Sequence, residues 1–591
     1  MISFDVQIRD FPFNEQSQNA IEAWHKGDHV YGKNWPVVYL IHNDKEAYIG
    51  ETLNAGKRAS QHWQINERKK LKMIHIMTDE TFNKSVILDL ESFLIKYISA
   101  DGKYKLQNGN AGLSNFEYYS RQEYIHEFQK VWDKLKECGL VQSGIADIED
   151  SDLYKYSPYK SLTEDQRVVL DQILYILAGY LSHGLKDTVL VEGGAGTGKT
   201  ILAVYLMKLL EDIKAGIASE DETEKDTDIS SIEKLISAER PLRIGFVVPQ
   251  QSLRQTLKKV FKTIRGLSEE MIYTPREAAK EGMIRPFDLL ICDEAHRLRR
   301  RAALSQYPAY DSINVDLKLP KNATELDWIL RVSNMQLLFY DSDQTVRPSD
   351  IPQTMFDGIL GHCRKLQLKS QLRCLGGDDY IQYVKEVLNI EGFNDLPETS
   401  TESLTMREST DYQHLFVKPH GEFKDYTLKM YDDIDRMMDD INQLDKEYNL
   451  CCTVAGYAWE WITKGEPKDT PLRDIKIGKG YIWNRTDTDW INSARLPYEI
   501  GCIHTVQGYD LNYVGVIFGP EITFSKQTGR IEVIKENYKD NLGKAVSGDY
   551  EALRSYIINI YVTLLTRGIH GAFVYVCDPS LREYLKKYIP T

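Results

Sequence analysis

Residues 193–200 read Gly-Gly-Ala-Gly-Thr-Gly-Lys-Thr, a spacing typical of a loop that binds the phosphates of a nucleotide. Small residues let the backbone curl so that N–H groups point at phosphate oxygens, and the start of the following helix adds partial positive charge. In such a loop the lysine reaches the β- and γ-phosphates and the last hydroxyl binds Mg²⁺. The predicted ATP-binding residues are Gly193, Gly194, Ala195, Gly196, Thr197, Gly198, Lys199 and Thr200, with Thr200 also a metal ligand.

Two carboxylates after a second apolar run supply the other half of an ATP site. Residues 287–292 predict a buried strand that ends at Asp293 and Glu294. In such a site Asp293 holds Mg²⁺ through water, and Glu294 orients or deprotonates the attacking water. The alternative is a polar strand end without chemistry, which the phosphate-binding loop upstream makes the weaker interpretation.

A separate set of reactive side chains lies nearer the start of the chain. Two apolar runs flank a polar turn, which predicts a hairpin with Tyr39 and Tyr48 on neighbouring strands. Arg58 and His62 are four residues apart in a helix-like stretch and share a face. Glu91 lies in a strongly apolar helix, where a carboxylate needs a partner such as a metal ion.

This set can cut a phosphodiester bond. Tyr39, helped by His62, would activate water, Arg58 would hold the scissile phosphate and Glu91 would bind Mg²⁺. The alternative is a hairpin domain with the tyrosines packed in its core and Arg58 in solvent.

The elements that must position these residues follow from the apolar pattern. Residues 189–191 predict a buried strand before the phosphate-binding loop, and residues 201–206 predict the start of a helix after it. Residues 426–448 have a helical pattern. Tyr457, Trp459 and Trp461 suit base stacking, but their alternation fits one buried face of a strand better.

The composition excludes several classes of protein. A chain of 591 residues is too long for one hydrophobic core and predicts about three to four domains. Its eight cysteines contain no CxxC pair, which argues against a disulfide framework or a zinc site and for a cytoplasmic location. The chain shows no apolar run long enough to span a bilayer and no signal-peptide pattern at its start.

The charge pattern is a weaker indicator of nucleic-acid binding than the motifs are. The formal net charge of −14 lowers the expectation of a protein that coats nucleic acid, although a local basic channel would suffice. Residues 68–70 form a basic patch, which is more often a solvated surface than a binding site. Residues 215–238 are acidic and polar, as is typical of a surface loop.

Further motifs of the chain resemble those of helicase-type ATPases, in the same order. Residues 161–166 are similar to the adenine-reading motif, which implies a nucleotide contact by Gln166. Residues 245–250 are similar to the strand and loop that touch nucleic-acid phosphates. Residues 338–344 resemble the motif whose glutamine, here Gln344, senses the γ-phosphate.

The later motifs extend the resemblance to the end of the chain. Residues 371–373 resemble a motif with an arginine finger, here Arg373. Residues 504–510 are similar to the superfamily 1 motif Thr-x-x-Gln-Gly-x-Glu, which implies nucleotide contacts by Gln507 and Gly508 and has Asp510 in place of the glutamate. Residues 561–567 resemble the Val-Ala-Leu-Thr-Arg motif, whose second arginine is Arg567.

Over roughly residues 156–591 the chain resembles a bacterial family of helicase-like ATPases related to the helicase portion of Schlafen proteins. The resemblance implies an α/β fold with two RecA-like lobes and ATP bound between them. It also implies that Arg567 reaches the γ-phosphate when the lobes close.

The N-terminal set resembles the GIY-YIG nuclease family over about residues 30–120. The order is the same: tyrosine hairpin, Arg-x-x-x-His, helix glutamate and then an asparagine, here Asn108. The first motif lacks its leading glycine, the gap between the tyrosines is slightly short, and Asn110 competes with Asn108 for the last position. The resemblance implies a small α+β nuclease domain that uses Mg²⁺.

The predicted organisation is a nuclease-like domain at 1–125, a linker at 126–155, a first lobe at 156–355 and a second lobe at 356–591. The second lobe carries a helical insertion at about 376–450. The acidic run at 147–152 marks the linker as a domain boundary.

These observations favour an ATP-dependent nuclease, in which a motor moves on nucleic acid and the N-terminal domain cuts. DNA is the favoured partner and RNA is possible; defence against foreign DNA, or repair, would suit such a pairing. One alternative is an ATP-gated switch that binds nucleic acid and licenses cutting without unwinding. Another is a binding scaffold with an inactive nuclease domain.

Overall fold

The computed structural model describes residues 3–26, 29–109, 118–160, 162–184, 186–216, 242–304, 306–341, 344, 349–361, 363–371, 374–389, 422–467, 469–485, 490–491, 495–506, 511–540, 544 and 549–591. Within these residues no helix is both long and apolar enough to cross a membrane. The chain divides into two compact units. The first unit holds residues 1–186, 200–246 and 254–273, and the second holds 187–199, 247–253 and 274–591.

The first unit begins with a five-stranded sheet in the order Gln7–Pro12, Met73–Thr78, Val37–His42, Glu46–Thr52 and Lys105–Leu106. The last pair is parallel and the others are antiparallel. The two central strands form the predicted hairpin about the turn at 42–46, with Ile41 opposite Tyr48. A two-stranded piece, His25–Lys26 with His29–Val30, lies outside this sheet.

Successive side chains of the hairpin pack into two separate hydrophobic cores, one on each face of the sheet. Val38, Leu40 and Ile49 pack on one face with the helix Lys84–Asp101. Tyr39 and Tyr48 lie in the cluster on the other face, with residues of the helices Ser17–Glu22 and Ala55–Gln64. This alternation follows from the two-residue period of a strand, and it sets both tyrosines on one face.

The helix Arg121–Glu137 differs from the predicted organisation, because it runs across the boundary predicted at residue 125. Its Phe128, Val131 and Trp132 are buried in the same core as the helix Lys84–Asp101. Burial of such large side chains stabilises a domain by about 1.5–3 kcal/mol each. The first half of the predicted linker is therefore part of the N-terminal core.

The rest of the first unit is mostly helical. Its further elements are the helices Ile145–Glu149, Asp152–Lys155, Glu164–His183, Lys199–Lys214 and Gln251–Thr263, the strands Ile244–Val247 and Ile272–Tyr273, and the short 3₁₀ helices Arg68–Lys70 and Glu269–Met271. The helix Lys199–Lys214 starts in the second unit, at the end of the phosphate-binding loop, and continues in the first.

Tyr159 and Arg265 connect these helices to the N-terminal sheet within the first unit. The Tyr159 hydroxyl donates to the carbonyl of Asn108 at 3.3 Å, and its ring centroid lies 5.9 Å from the Lys208 ammonium. Arg265 donates to the carbonyl of Gln107 at 3.2 Å. Lys208 in turn pairs with Asp212 in the interior. Two bonds thus hold the backbone at residues 107–108.

The second unit contains a parallel sheet whose strands include, in spatial order, Phe287–Cys292, Ser333–Tyr340, Asp187–Gly193 and Arg364–Leu368. The strand before the phosphate-binding loop is therefore central, and its Val189, Leu190 and Val191 are fully buried. The neighbouring elements along the chain are the helices Pro275–Ile284, Tyr307–Asp316, Glu325–Val332 and Gln353–Leu360 and the 3₁₀ turn Ala295–Arg297. The helix Gly377–Leu388 instead packs in a core with the strands Leu511–Phe518 and Gly568–Val576.

A second sheet of the same unit is also parallel. Its strands are, in spatial order, Thr427–Tyr431, Gly568–Val576, Leu511–Phe518, Cys452–Ala455, Glu499–Cys502 and Ile482–Trp483. The remaining elements are the helices Ile434–Tyr448, Ile503–Val506, Tyr550–Leu565 and Pro579–Leu585 and the hairpin of Ile522–Ser525 and Arg530–Val533.

Two local expectations in this region were wrong. The helical pattern predicted over 426–448 begins with the strand Thr427–Tyr431, because Leu428 and Met430 are buried on one face beside the strand Gly568–Val576. The strand Cys452–Ala455 ends before Tyr457, so the aromatic alternation that follows is not a strand. Tyr457 and Trp461 still pack on buried Trp483, as core packing predicts. The acidic tract at 217–238 lies outside the described residues.

Candidate active sites

The phosphate-binding loop follows directly from the central strand Asp187–Gly193. Gly196 and Gly198 have φ of 84° and 77°, a region that a side chain disfavours. A Cβ on Gly193 would lie 2.6 Å from the Thr197 hydroxyl oxygen, so this position also has no room for a side chain. The glycines therefore determine the curl of the loop that the sequence predicted.

Lys199 folds back over this loop. Its ammonium donates to the carbonyls of Gly193 at 2.6 Å and Gly194 at 2.7 Å. It also pairs with the Asp341 carboxylate at 3.3 Å, and both side chains are buried. Burial alone would raise the pKa of Asp341, but the charge of Lys199 holds it below its usual range. Lys199 is therefore held as one half of an ion pair beside the loop.

Gln344 and Arg567 extend this network across the second unit. The Gln344 amide donates to Asp341 at 2.7 Å, and its carbonyl accepts from Arg567 at 3.2 Å. Arg567 is almost fully buried at the end of the helix Tyr550–Leu565. Three predicted residues, Lys199, Gln344 and Arg567, are thus joined through Asp341 into one chain of contacts. We call these four residues the loop relay.

Asp293 and Glu294 lie where the strand Phe287–Cys292 ends, as predicted. The Asp293 N–H donates to the Val247 carbonyl at 3.0 Å, and Glu294 has a left-handed backbone with φ of 53°. Burial raises the pKa of Glu294, but the neighbouring His296 and then Arg297 bring it well below its usual range. The Glu294 carboxylate lies 2.9 Å from the His296 ring nitrogen. Glu294 is therefore charged at neutral pH.

Gln371, two residues before the predicted finger Arg373, contacts the phosphate-binding loop, and the remaining nucleotide contacts stay predictions. The Gln371 amide donates to the Ala195 carbonyl at 2.6 Å, and a cleft of about 450 Å³ beside the loop is lined by Gly193, Gly194, Asp341 and Lys369 among others. Such a volume is within the range of small-molecule sites. The side chain of Gln166 accepts from the Thr163 N–H at 3.1 Å and completes a capping box. Arg373, Gln507 and Gly508 lie outside the described residues.

A second site surrounds the tyrosine hairpin. The Tyr39 hydroxyl and His62 Nε2 are 2.6 Å apart, and the rings of Tyr48 and His62 have centroids 4.8 Å apart. The opposite nitrogen of His62, Nδ1, contacts the guanidinium of Arg68, whose carbon lies 3.8 Å from the centroid of the Tyr48 ring. All four side chains are buried. With Arg58, we call them the tyrosine cluster.

Arg58 and Glu91 both affect the pKa of the Tyr39 hydroxyl. Burial, then Tyr48, raises the pKa of Tyr39 well above its usual value, while the charge of Arg58 opposes this and the charge of Glu91 adds to it. Burial, then the charges of Arg68 and Arg58, lowers the pKa of His62 to about 2. His62 is therefore neutral at physiological pH.

The side chain of Asn108 bonds to the backbone of the hairpin and not to the side chains of the tyrosine cluster. Its amide oxygen accepts from the Ile49 N–H at 3.0 Å and its amide nitrogen donates to the Ile49 carbonyl at 2.8 Å. It therefore fixes the backbone next to Tyr48. The alternative asparagine, Asn110, lies outside the described residues. No group of three or more His, Cys, Asp or Glu within the described part of the chain is arranged to hold a metal.

Sequence reasoning missed two members of these sites. Arg68 was assigned to a solvated basic patch, but it is 5% exposed, whereas its neighbours Lys69 and Lys70 are exposed. Asp341 stands three residues before Gln344, at the end of the strand Ser333–Tyr340. Asp341 could have been found from its place at the end of a buried parallel strand, whereas no comparable pattern marks Arg68.

The phosphate-binding loop, the carboxylates at the next strand end and the two parallel sheets define the class of helicase-like ATPases. The family described as Schlafen group 3, DNA/RNA helicase domain, matches residues 186–578, and the chain belongs to this family. The match begins after the tyrosine cluster and covers the loop relay.

Individual proteins are more distant. The uncharacterized protein YPL245W of Saccharomyces cerevisiae (strain ATCC 204508 / S288c) is 22% identical over 448 residues, which are 72% of this chain and 90% of that protein. A crystal structure of the Pif1 helicase from Bacteroides, in complex with ADP-AlF3 and ssDNA, is 12% identical, with a TM-score of 0.23, over 73% of this chain and 95% of that chain. A structure of Drosophila ORC bound to DNA is 12% identical, with a TM-score of 0.19, over 40% of this chain and about half, 54%, of that chain.

Proposed function

We propose that this protein is an ATP-dependent nucleic-acid-processing enzyme in which a helicase-like ATPase is coupled to a Mg²⁺-dependent endonuclease. DNA is the favoured substrate, and removal of foreign DNA or repair is the proposed role. The observation that carries the ATPase half is the loop relay, since it joins the loop lysine to an arginine far along the chain. The tyrosine cluster supports the nuclease half.

The phosphate-binding loop, the carboxylates at 293–294 and three members of the loop relay have distinct proposed tasks in phosphoryl transfer. The curled backbone at 193–198 and Lys199 bind the β- and γ-phosphates, and Glu294 orients the attacking water as a charged carboxylate. Gln344 and Arg567 stabilise negative charge on the transferred phosphoryl group. Mg²⁺, held by Thr200 and through water by Asp293, would neutralise phosphate charge.

At the tyrosine cluster, Tyr39 activates the water that attacks the phosphodiester, and Arg58 holds the phosphate. Glu91 would hold one Mg²⁺, which supplies charge stabilisation at the leaving oxygen. Since no three-ligand group exists among the described residues, water and phosphate oxygens would complete its coordination. Tyr48 and Asn108 keep the hairpin in place. This set resembles the GIY-YIG nucleases in residue type and order.

The test measures ATP hydrolysis and DNA cleavage on the same full-length samples. Plasmid and single-stranded DNA are incubated with Mg²⁺, with and without ATP, using wild type, Glu91→Gln, Lys199→Met and the surface control Glu137→Gln. We expect Glu91→Gln to lose cleavage by about 100-fold or more and to keep ATP hydrolysis. Lys199→Met should lose ATP hydrolysis and the effect of ATP on cleavage.

The ATPase proposal and the nuclease proposal can be refuted separately. ATP hydrolysis by wild type with no cleavage of DNA or of a single-stranded RNA would refute the nuclease and leave the ATPase. Cleavage that Glu91→Gln retains at the wild-type rate would show that another site, or a contaminant, cuts.

A further inference from the structure

The strongest unassigned feature is the contact between Arg68 and His62. An arginine guanidinium has N–H donors and no acceptor, so the nitrogen that it contacts on a neighbour must accept. That nitrogen is Nδ1 of His62. A neutral imidazole carries one proton, which must then be on Nε2.

Nε2 is the atom that faces the tyrosine. It lies 2.6 Å from the Tyr39 hydroxyl oxygen, so with its proton it donates to that oxygen. Tyr39 therefore accepts a hydrogen bond from His62, and its own hydroxyl proton is directed away from His62.

We propose that Arg68 is a positioning residue that fixes the tautomer of His62, so that His62 donates a hydrogen bond to Tyr39 and does not accept its proton. The role of Tyr39 in cleavage rests on the function proposed above, whereas the tautomer does not. His62 then orients the Tyr39 hydroxyl by a hydrogen bond to its oxygen. The groups that face the imidazole are Tyr39, Tyr48, Arg58 and Arg68.

The geometry also explains why arginine occupies this position. Its plane stacks on the Tyr48 ring, while one N–H group reaches His62. A lysine at position 68 would keep the positive charge and the donor, and a methionine would keep much of the packing without either. The pair Arg68→Lys and Arg68→Met therefore separates hydrogen bonding from simple space filling.

The direct test reads the proton position by NMR. The full-length protein is labelled with ¹³C,¹⁵N-histidine, and the His62 signal is assigned by its loss in His62→Gln. The ¹⁵N chemical shifts of a neutral imidazole tell which nitrogen carries the proton. We expect the Nε2–H form in wild type and Arg68→Lys, and a substantial Nδ1–H population in Arg68→Met.

Cleavage kinetics supply the second readout. Arg68→Met should lower kcat for DNA cleavage by about 100-fold with little change in KM, and Arg68→Lys should recover at least part of it. Lys69→Met removes the same charge from the adjacent exposed position and should change kcat less than twofold. Circular dichroism and thermal unfolding confirm that each variant folds.

Two results would overturn the inference. One is a wild-type His62 with its proton on Nδ1, or protonated on both nitrogens at pH 7. The other is an Arg68→Met variant that keeps the Nε2–H form. A wild type that cuts no nucleic acid would refute the proposed nuclease, and the NMR result would still decide the role of Arg68.

Discussion

His62 and Lys199 are both buried basic groups, but their surroundings differ. His62 lies among two tyrosines and two arginines, and its pKa falls to about 2, so it is neutral. Lys199 lies beside the Asp341 carboxylate and two carbonyls, in an ion pair. For His62, burial is the largest cause of the lowered pKa and the two arginines add to it, whereas Lys199 is buried together with a carboxylate of opposite charge.

The two sites also differ in how far their residues are separated along the chain. The tyrosine cluster and Glu91 come from residues 39–91 of one small domain, whereas the loop relay joins positions 199 and 567. The geometry of the tyrosine cluster depends on a few neighbouring elements, whereas the geometry of the loop relay depends on the packing of elements that are far apart in the sequence. The following changes test both contrasts.

The largest effect is expected for Arg567→Lys in the loop relay. A lysine keeps the charge but lacks the guanidinium fork that reaches Gln344, and an arginine finger is worth about 10³-fold or more in kcat. We expect ATP hydrolysis to fall by about that factor with little loss of ATP binding. Arg364→Lys, an exposed arginine paired with Asp187, is the control and should retain the wild-type rate.

Lys199→Met should lower ATP hydrolysis by about 10²–10³-fold. It should also destabilise the fold by about 3 kcal/mol, because Asp341 would remain buried without its cation. The double variant Lys199→Met with Asp341→Asn should recover stability but not hydrolysis. Thermal unfolding and an ATPase assay separate the two effects, and equal stability of the single and double variants would contradict the ion-pair account.

Glu521 provides a third case, a buried carboxylate that no cation among the described residues contacts. Burial raises its pKa to about 7, against the opposing hydrogen bond from Tyr561. Since the unfolded value is lower, its contribution to stability is present at low pH and is lost as pH rises towards 7, by about 3 kcal/mol. Glu521→Gln should remove this loss, as measured by denaturant unfolding between pH 4.5 and pH 8. A variant that is less stable than wild type at pH 8 would contradict this.

The smallest effect is expected for His62, and its contribution to stability changes with pH in the opposite direction to that of Glu521. Its pKa is lowered on folding, so the unfolded chain binds the proton first and stability falls as pH drops below 6.5. Between pH 6.5 and 5.0 this group accounts for about 2 kcal/mol of that fall. His62→Gln should reduce the slope of unfolding free energy against pH in this window. A His62→Gln variant with the same slope as wild type would contradict this account.

The sequence predicted elements whose signal is local. The hairpin about residues 42–46 and the strand Phe287–Cys292 follow from period-two or continuous apolar runs. The strand Thr427–Tyr431 was misassigned, because a short apolar stretch before a helix has no period of its own. Its partner strand, more than a hundred residues away, decides its conformation.

The candidate sites were predictable to a similar degree. Residues in fixed motifs, such as Lys199 and Gln344, could be found by spacing, although their shared partner Asp341 was not singled out. Arg68 was not predictable, because its role depends on a turn that folds it under the Tyr48 ring while Lys69 and Lys70 point outward. Only the tertiary structure distinguishes the buried arginine from its two exposed neighbours.

Tyr159 has a consequence for how this protein can be divided. It belongs to the core of the N-terminal sheet, yet its ring lies next to Lys208 on the helix that follows the phosphate-binding loop. A protease cut or a new chain start near residue 156 would separate this side chain from the core of the N-terminal sheet. The natural breakpoint for recombination or for separate expression is therefore not the acidic run at 147–152, and a detached N-terminal fragment would need residues up to at least 160 to keep its core closed.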